Sequence, residues 1–406
     1  MALGYRGFDR RMWVLFWSML IDGVGYSLIS PYILLFLKHD LGASMAMGGL
    51  VLTIAGVIGA GGNMIGGLLA DRYGRRGVMV ISMLLRSLTF VLLAIMVTFR
   101  PEFVSIAVLL TLSYFFGGVF QPANNAMIAD LTEPARRMEA YGLIRVAWNV
   151  GFAVGPIVGG MLILVSFPLT FTISAIISFV AAAIVALMLT ESYVPVPKGK
   201  KEPGLKGVGN LKPLFLLFCL FTLPLFIMSG QFGSTYTVFA NDRVGIDTAT
   251  IGLVFGLNGI MVVLLQMPIS RWLTERNPYV GMLAGSVVYS IGFLLVAAVT
   301  DGYWLALTMI IITMGEIIVV PVSNALTVLL APDDSRGKYL GVFGVVSSFG
   351  WFGSTFIGGM LYDTYDNGWI MWGILASFGL ITALAMIPLW LRTRTKVERT
   401  TSQVVR

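Results

Sequence analysis

The sequence is poor in charge and in the residues that build metal sites or disulfides. Charged residues make up 12% of its 406 residues, against about 25% in soluble domains. The single cysteine, Cys219, excludes an intrachain disulfide framework. The single histidine, His39, has no second histidine and no cysteine cluster to complete a metal site, and the chain lacks the phosphate-binding loop of nucleotide-driven pumps. We therefore predict no metal, no cofactor and no enzymatic activity.

What the sequence has in excess is apolar surface. Hydrophobic residues make up 57% of the chain, its mean hydropathy is +0.88, and 47 of its residues are glycine. In water such a chain would expose large apolar patches, so we expect lipid to be its main solvent. Glycine suits that solvent because small residues let membrane helices approach each other closely. The first apolar segment is too long for a cleaved signal peptide, and we predict that it stays in the membrane.

Apolar runs long enough to cross the hydrocarbon core occur twelve times along the chain. A helix needs about 20 residues to cross about 30 Å, whereas barrel strands alternate over about ten residues. We therefore predict an all-α integral membrane protein. The predicted spans, numbered 1 to 12, are residues 12–37, 46–69, 78–98, 103–128, 139–165, 168–189, 211–239, 249–271, 279–299, 302–330, 338–361 and 368–391.

Lysine and arginine fall almost entirely on one side of these spans. With the N-terminus inside, 22 of the 27 lie in inner segments or at the inner ends of spans, three (Lys38, Arg100 and Arg243) lie outside, and two (Arg86 and Arg145) lie deeper within spans. Because cytoplasmic loops carry the positive excess, we predict that both termini are cytoplasmic, in the inner or plasma membrane. The net charge of +7 then reflects topology, and we expect no nucleic-acid partner. The expected partners are a small-molecule substrate, protons and the lipid bilayer, and we predict a monomer.

A hydrophilic stretch divides the chain into two halves that repeat. Residues 191–210, rich in Pro, Gly and Lys, are predicted to form a cytoplasmic linker between residues 1–190 and 211–406. Pro122–Leu162 aligns without a gap on Pro321–Leu361, and twelve of the 41 positions are identical. A parallel repeat of six helices is typical of transporters whose substrate site lies near the membrane midplane, between the halves.

Two motifs resemble the major facilitator superfamily. GGLLADRYGRR (Gly66–Arg76) is similar to its loop 2–3 signature, and GFAVGPIVGG (Gly151–Gly160) is similar to the helix 5 motif of its twelve-helix drug:proton antiporter branch. The resemblance implies two pseudo-symmetric six-helix bundles. Span 4 lacks the basic residue that is usual in this branch, and both motifs are degraded in the second half. The peptide-symporter signature is absent from span 1, and the sugar-porter signature is absent after span 6.

Four charged residues deep within the spans are candidates for proton coupling: Asp22, Glu316, Arg86 and Arg145. Each costs about 2.5–3.5 kcal/mol at the bilayer centre, so either a function or a buried ion pair must account for it. The resemblance implies that spans 1 and 10 line a central cavity from opposite halves, with Asp22 and Glu316 facing each other. Either arginine would then hold an acid in its charged form or shuttle charge. The resemblance also implies that span 3 is peripheral, so Arg86 fits a packing or relay partner better than a ligand.

These features predict proton-coupled efflux of hydrophobic, cationic, drug-like compounds by alternating access. A lipophilic cation would compete with a proton for an embedded carboxylate, which is what antiport requires. The alternative is a proton-coupled carrier of an anionic or neutral metabolite. This alternative is favoured if Arg86 or Arg145 faces the cavity. The predicted substrate-binding residues are polar or aromatic: Tyr26, Gln121, Asn125, Asn149, Gln231, Tyr236, Asn258, Gln266 and Asn324.

A last group of residues is predicted to control opening and closing. The resemblance implies that Asp71 sits near the inner end of span 11, while Arg72 or Arg75 reaches Asp130, so that the loop latches the two halves on the inner side. The glycines and proline of span 5 would pack closely and bend that helix. The predicted gating residues are Gly67, Asp71, Arg72, Gly74, Arg75, Arg76, Asp130, Gly151, Gly155, Pro156, Gly159 and Gly160.

Overall fold

The computed structural model describes residues 7–133, 136–193, 211–332 and 335–404. These residues contain twelve helices long and apolar enough to cross a membrane, and each coincides with one predicted span, which confirms the all-α membrane fold. In chain order the helices are α1 (Arg10–His39), α2 (Met45–Tyr73), α3 (Arg75–Phe99), α4 (Phe103–Asp130), α5 (Arg137–Val165), α6 (Phe167–Met188), α7 (Pro213–Gly233), α8 (Thr248–Thr274), α9 (Pro278–Ala298), α10 (Gly302–Leu330), α11 (Arg336–Thr364) and α12 (Gly368–Val404).

Several helices begin at a polar side chain that accepts hydrogen bonds from the first backbone N–H groups. Asp9 accepts from Arg11 N before α1, Ser166 from Leu169 N before α6, and Asp301 from Tyr303 N and Trp304 N before α10. The first four N–H groups of a helix have no partner within it, so these side chains stabilise the helix starts.

Two helices are interrupted, at positions where the sequence is unfavourable for a continuous helix. α1 is regular over Arg10–Ser27, then turns through the 3₁₀ segment Ser30–Tyr32, where Pro31 supplies no N–H. α7 is regular over Pro213–Ser229, then passes through the 3₁₀ segment Gly230–Gly233. The chain after α7 continues as a short helical turn and a π-helical turn. Both interruptions expose backbone groups that need partners from neighbouring helices.

The chain forms two compact units, and they do not simply follow chain order. Among the described residues, unit 1 consists of residues 7–43, 50–193 and 247–259, and unit 2 consists of the remainder. The first residues of α2 therefore belong to unit 2, and the first half of α8 belongs to unit 1. Beyond Tyr193, the predicted linker lies outside the described residues.

Within each unit, one helix start packs against a glycine of the repeated segment. In unit 1, a Cβ at Gly160 would overlap the carbonyl oxygen of Thr248, at the start of α8. In unit 2, a Cβ at Gly359 would overlap the carbonyl oxygen of Met45, at the start of α2. Gly160 and Gly359 are aligned positions of the sequence repeat, so the repeat recurs as the same backbone contact.

Candidate functional site

The membrane acid of unit 1 forms a buried ion pair. Arg86 Nη1, on α3, lies 3.1 Å from Asp22 Oδ1 and 3.2 Å from Asp22 Oδ2, on α1. Asp22 is 2% exposed and Arg86 is 6% exposed. Each charge therefore compensates the other in a region that water hardly reaches. The structure thus shows Asp22 and Arg86 as a buried ion pair. Their role in proton coupling stays a prediction.

Aromatic rings surround this ion pair. The guanidinium carbon of Arg86 lies 5.6 Å from the ring centroid of Tyr26 and 5.6 Å from that of Phe90. The Tyr26 ring in turn lies 5.7 Å from the Trp148 ring and 6.4 Å from the Tyr114 ring. Arg86 Nη2 is buried and has no hydrogen-bond acceptor among the described residues. The site thus combines ring faces with one unsatisfied N–H donor.

The other predicted residues of α4 and α5 differ in exposure. Arg145 and Asn125 are exposed, whereas Gln121 and Asn149 are half-buried. Sequence reasoning missed Asn124, which is 1% exposed and whose Oδ1 has no donor among the described residues. Its neighbours one turn away in either direction are apolar and buried, and that helical spacing was the signal that could have found it.

The membrane acid of unit 2 has different surroundings. Glu316 is half-buried on α10, directly after Gly315, where a Cβ would overlap the backbone of Tyr289 on α9. Gln266 on α8 donates from Nε2 to the Ile317 carbonyl oxygen at 3.2 Å and to Ser270 Oγ at 3.0 Å. Glu316 therefore lies where α8 and α9 both approach α10. Asn324, two turns further along α10, is exposed.

Three other predicted binding residues of the C-terminal half are buried. Gln231 Nε2 donates to the Ser354 carbonyl oxygen on α11 at 2.8 Å. Tyr236 OH donates to the Leu305 carbonyl oxygen on α10 at 3.0 Å. Both side chains are fully buried, and Asn258 is 6% exposed. Gln231 and Tyr236 thus satisfy backbone carbonyls between helices, and contact with substrate stays a prediction for all three.

The loop between α2 and α3 carries a small charge network. Arg75 Nε lies 3.2 Å from Asp130 Oδ2, and Arg75 Nη2 lies 3.4 Å from Asp71 Oδ1. The predicted contact of Asp130 with Arg72 or Arg75 is therefore made by Arg75. Arg72 instead stacks on Tyr73, with its guanidinium carbon 5.1 Å from the ring centroid. The predicted approach of Asp71 to span 11 stays a prediction.

Three residues just after α6 complete this network, although the sequence pattern predicted all three only as part of the linker. The Glu191 carboxylate accepts hydrogen bonds at 3.0 Å from Arg75 N and Arg76 N, at the start of α3. Ser192 Oγ donates to Asp130 Oδ2 at 2.8 Å, and the Tyr193 ring centroid lies 4.5 Å from the Arg75 guanidinium carbon. Gly74, at φ +95°, precedes α3 and has no side chain to cap it. That uncapped helix start was the available signal.

The glycines of α5 let α1 and α8 approach its backbone closely. A Cβ at Gly151, Gly155 or Gly159 would overlap atoms of α1, and one at Gly160 would overlap α8. Tyr32 OH donates to the Pro156 carbonyl oxygen at 2.8 Å and contacts the Thr248 carbonyl oxygen at 3.2 Å. Gly67 is less constrained, since a Cβ there would make an ordinary contact with Pro122. The predicted close packing of α5 is present in unit 1.

Comparison with known proteins places the chain in a family. The profile of the Major Facilitator Superfamily matches residues 15–355, most of the chain. The chain belongs to the major facilitator superfamily. As a member of this superfamily it is a transporter and a multi-pass membrane protein, and it is not an enzyme.

Individual relatives of this major facilitator agree in length and fold. A protein of Proteus mirabilis (strain HI4320) named multidrug resistance protein MdtH is 26% identical over 377 residues, covering 91% of this chain and 92% of the relative. The protein of the same name from Yersinia pestis (strain Pestoides F) is 24% identical over 402 residues, covering 98% of each chain. A solved structure of a POT family transporter in complex with 5-aminolevulinic acid superposes with a TM-score of 0.78 at 13% identity, covering 97% of this chain and 98% of that one. At that identity the superposition shows the fold alone.

Proposed function

We propose that this major facilitator exports hydrophobic, cationic, drug-like compounds in exchange for protons, by alternating access. Glu316, a half-buried carboxylate within α10 of a chain whose relatives are named multidrug resistance proteins, carries the proposal. It is 14 residues into a 29-residue helix, and a charge at such depth is retained for a function. A proton and an organic cation can each neutralise it, so binding of one displaces the other.

The Asp22–Arg86 pair supports a second charge-coupled step. While Asp22 is ionised, the pair is electrically neutral and Nη1 of Arg86 is occupied. Protonation of Asp22 would leave the buried guanidinium uncompensated, which is costly in a low dielectric. The protonated state of unit 1 is therefore expected to differ in conformation or in ligand affinity from the ionised state. This gives the proton a means of acting on the carrier.

The aromatic surroundings of Arg86 and the names of the relatives support the choice of substrate class. Ring faces bind flat apolar compounds without demanding a fixed pattern of hydrogen bonds. We further propose a monomer in the cell membrane with both termini cytoplasmic, supported by the asymmetry of lysine and arginine in the sequence. The partners would be the substrate, protons and the bilayer, with no nucleic acid.

Transport by everted membrane vesicles tests this proposal. Vesicles that carry the wild type should accumulate ethidium when a proton gradient is imposed. Glu316→Gln should reduce the initial rate by about tenfold or more, as expected when a charge essential to the coupling step is lost. Glu102→Gln, at an exposed position before α4, is the matched control and should transport normally.

Two results would refute the proposed function. One is transport of organic anions without transport of cations. The other is proton-driven transport that survives the combined replacement Asp22→Asn and Glu316→Gln.

A further inference from the structure

Arg145 is a charged side chain inside a membrane helix that the proposed function leaves unused. It is exposed on α5, eight residues after the first residue of the helix, which is about 12 Å along its axis at 1.5 Å per residue. Among the described residues it has no ion pair and no hydrogen-bond partner. A partnerless guanidinium is unfavourable against lipid and favourable in a water-filled cavity.

A group of aromatic rings lies between Trp148, one turn along α5 from Arg145, and Arg86. Trp148 follows Arg145 by three residues, a spacing that makes two side chains neighbours on one helix face. The Trp148 ring lies 5.7 Å from the Tyr26 ring at an interplanar angle of 35°, and Tyr26 lies against Tyr114 and against the guanidinium of Arg86. Trp148, Tyr26 and Tyr114, here called the aromatic strip, are each half-buried. The strip is therefore still partly open to a ligand.

An arginine lies beyond each end of the aromatic strip, and the negative charge of Asp22 is already neutralised by Arg86. Asp22 places both of its oxygens on Nη1 of Arg86, while Nη2 of the same group has no acceptor among the described residues. Arg145 adds a second positive charge with no acid to balance it. The strip with its two arginines and one aspartate thus has a net charge of +1 and unsatisfied donors, which favours an oxygen anion.

We propose that Arg145 and the aromatic strip bind the carboxylate-bearing ring of an aromatic substrate. The guanidinium offers two parallel N–H groups that match a carboxylate, and the rings supply flat apolar contact. The inference rests on the proposed export of hydrophobic cations and narrows its substrates. The preferred compounds carry a carboxylate in addition to their cationic group.

Two dyes that differ in one ester group test this inference. Rhodamine 110 carries a xanthylium cation and a free carboxylate, and rhodamine 123 is its methyl ester. Fluorescence polarisation with the purified full-length protein in detergent gives the Kd of each dye. The wild type should bind rhodamine 110 more tightly. Arg145→Gln should raise the Kd of rhodamine 110 by about tenfold, as expected for loss of a charge-assisted pair. It should change the Kd of rhodamine 123 by less than about twofold.

Matched variants separate charge from geometry. Arg145→Lys keeps the charge but loses the planar fork, so its effect on rhodamine 110 should be intermediate. Arg100→Gln removes an exposed arginine at the far end of α3 and should change neither Kd. Thermal unfolding of each variant checks that the fold is retained.

Several outcomes would overturn the inference. Equal weakening of both dyes by Arg145→Gln would assign Arg145 to packing or to lipid headgroups, and no change for either dye would remove it from the site. Should Arg145→Gln fail to fold, a wild type that binds rhodamine 110 no more tightly than rhodamine 123 would refute the proposal by itself. Binding in detergent is measured without a proton gradient, so it tests this inference independently of transport. Failure of the wild type to transport rhodamine 123 in vesicles would instead count against the proposed function.

Discussion

Units 1 and 2 share a backbone contact but differ in how they handle membrane charge. In both, a glycine of the repeated segment, Gly160 or Gly359, receives the carbonyl oxygen that starts another helix. Unit 1 pairs its acid Asp22 with Arg86 in a buried bridge, whereas the acid of unit 2, Glu316, is half-buried near Tyr289. Close helix packing, which tolerates no added atoms, therefore recurs in both units, whereas the two membrane acids lie on helices that the repeat does not relate, α1 and α10.

The starts of α3 and α9, which correspond to each other in a repeat of six helices, also differ between the units. In unit 1, α3 begins after Gly74 and is capped by the distant Glu191. In unit 2, α9 is capped locally, because Asn277 Oδ1 accepts from Tyr279 N at 2.9 Å. Both helix starts have N–H groups that need acceptors from outside the helix. A long-range contact supplies the acceptor for α3, and a local contact supplies it for α9.

The largest expected effect is on stability, and it distinguishes the ion-paired Asp22 from the half-buried Glu316. Asp22→Asn or Arg86→Gln alone should destabilise the protein by about 3–5 kcal/mol, because each leaves a buried charge without its partner. Thermal unfolding in detergent is the measurement. Glu316→Gln should have a much smaller effect on stability, since the side chain is only half-buried.

The double variant with Asp22→Asn and Arg86→Gln is the control for this prediction. It removes both charges and should be more stable than either single variant. A double variant as unstable as the worse single one would show that the ion pair is not the source of the loss.

A second prediction tests whether the shared glycine contact matters equally in both units. Gly160→Val and Gly359→Val should each destabilise the protein by about 1–3 kcal/mol, the range for overpacking a tight contact, because the added atoms would overlap a backbone carbonyl. Gly341→Val is the control, since no atom lies within 4 Å of its Cβ position. Thermal unfolding measures all three. A large loss at only one of the two glycines would contradict the equivalence of the contacts.

The smallest expected effect concerns the two helix caps. Although burial raises the pKa of the Glu191 carboxyl, its hydrogen bonds with the N–H groups of Tyr193, Arg75, Arg76 and Ser192 together hold that pKa below its ordinary value. The folded state therefore favours the ionised form. The stabilisation is present above the ordinary glutamate pKa and is lost as the pH falls through the lowered value.

Glu191→Gln should accordingly cost less than about 1 kcal/mol near neutral pH, since the carboxylate is largely exposed and solvent screens it. The variant should lose less stability than the wild type as the pH falls below the glutamate range. Asn277→Ala removes the cap of α9 and should cost a similar amount with no change in that pH range. Parallel pH profiles of Glu191→Gln and the wild type would contradict this account of the α3 cap.

Hydrophobic run length alone determined the number and type of the helices. A backbone in lipid must satisfy its hydrogen bonds internally, so twelve sufficiently long apolar runs leave little choice other than twelve helices. The close packing of Gly151–Gly160 and the repeat of Pro122–Leu162 could be predicted from the sequence for a related reason. Close packing depends on residue size, and size is visible in the sequence.

Only the tertiary structure decided which side chains meet. That Arg86 pairs with Asp22 while Arg145 stays exposed depends on how α1, α3 and α5 are rotated about their axes, and hydropathy does not encode rotation among helices that are apolar on nearly every face. The same holds for Gln231, whose amide bonds a carbonyl of α11, and for Glu191, which caps a helix more than a hundred positions earlier in the chain. Polar partners in a membrane protein are set by neighbours in space, because lipid offers no alternative partner and any helix within reach can supply one.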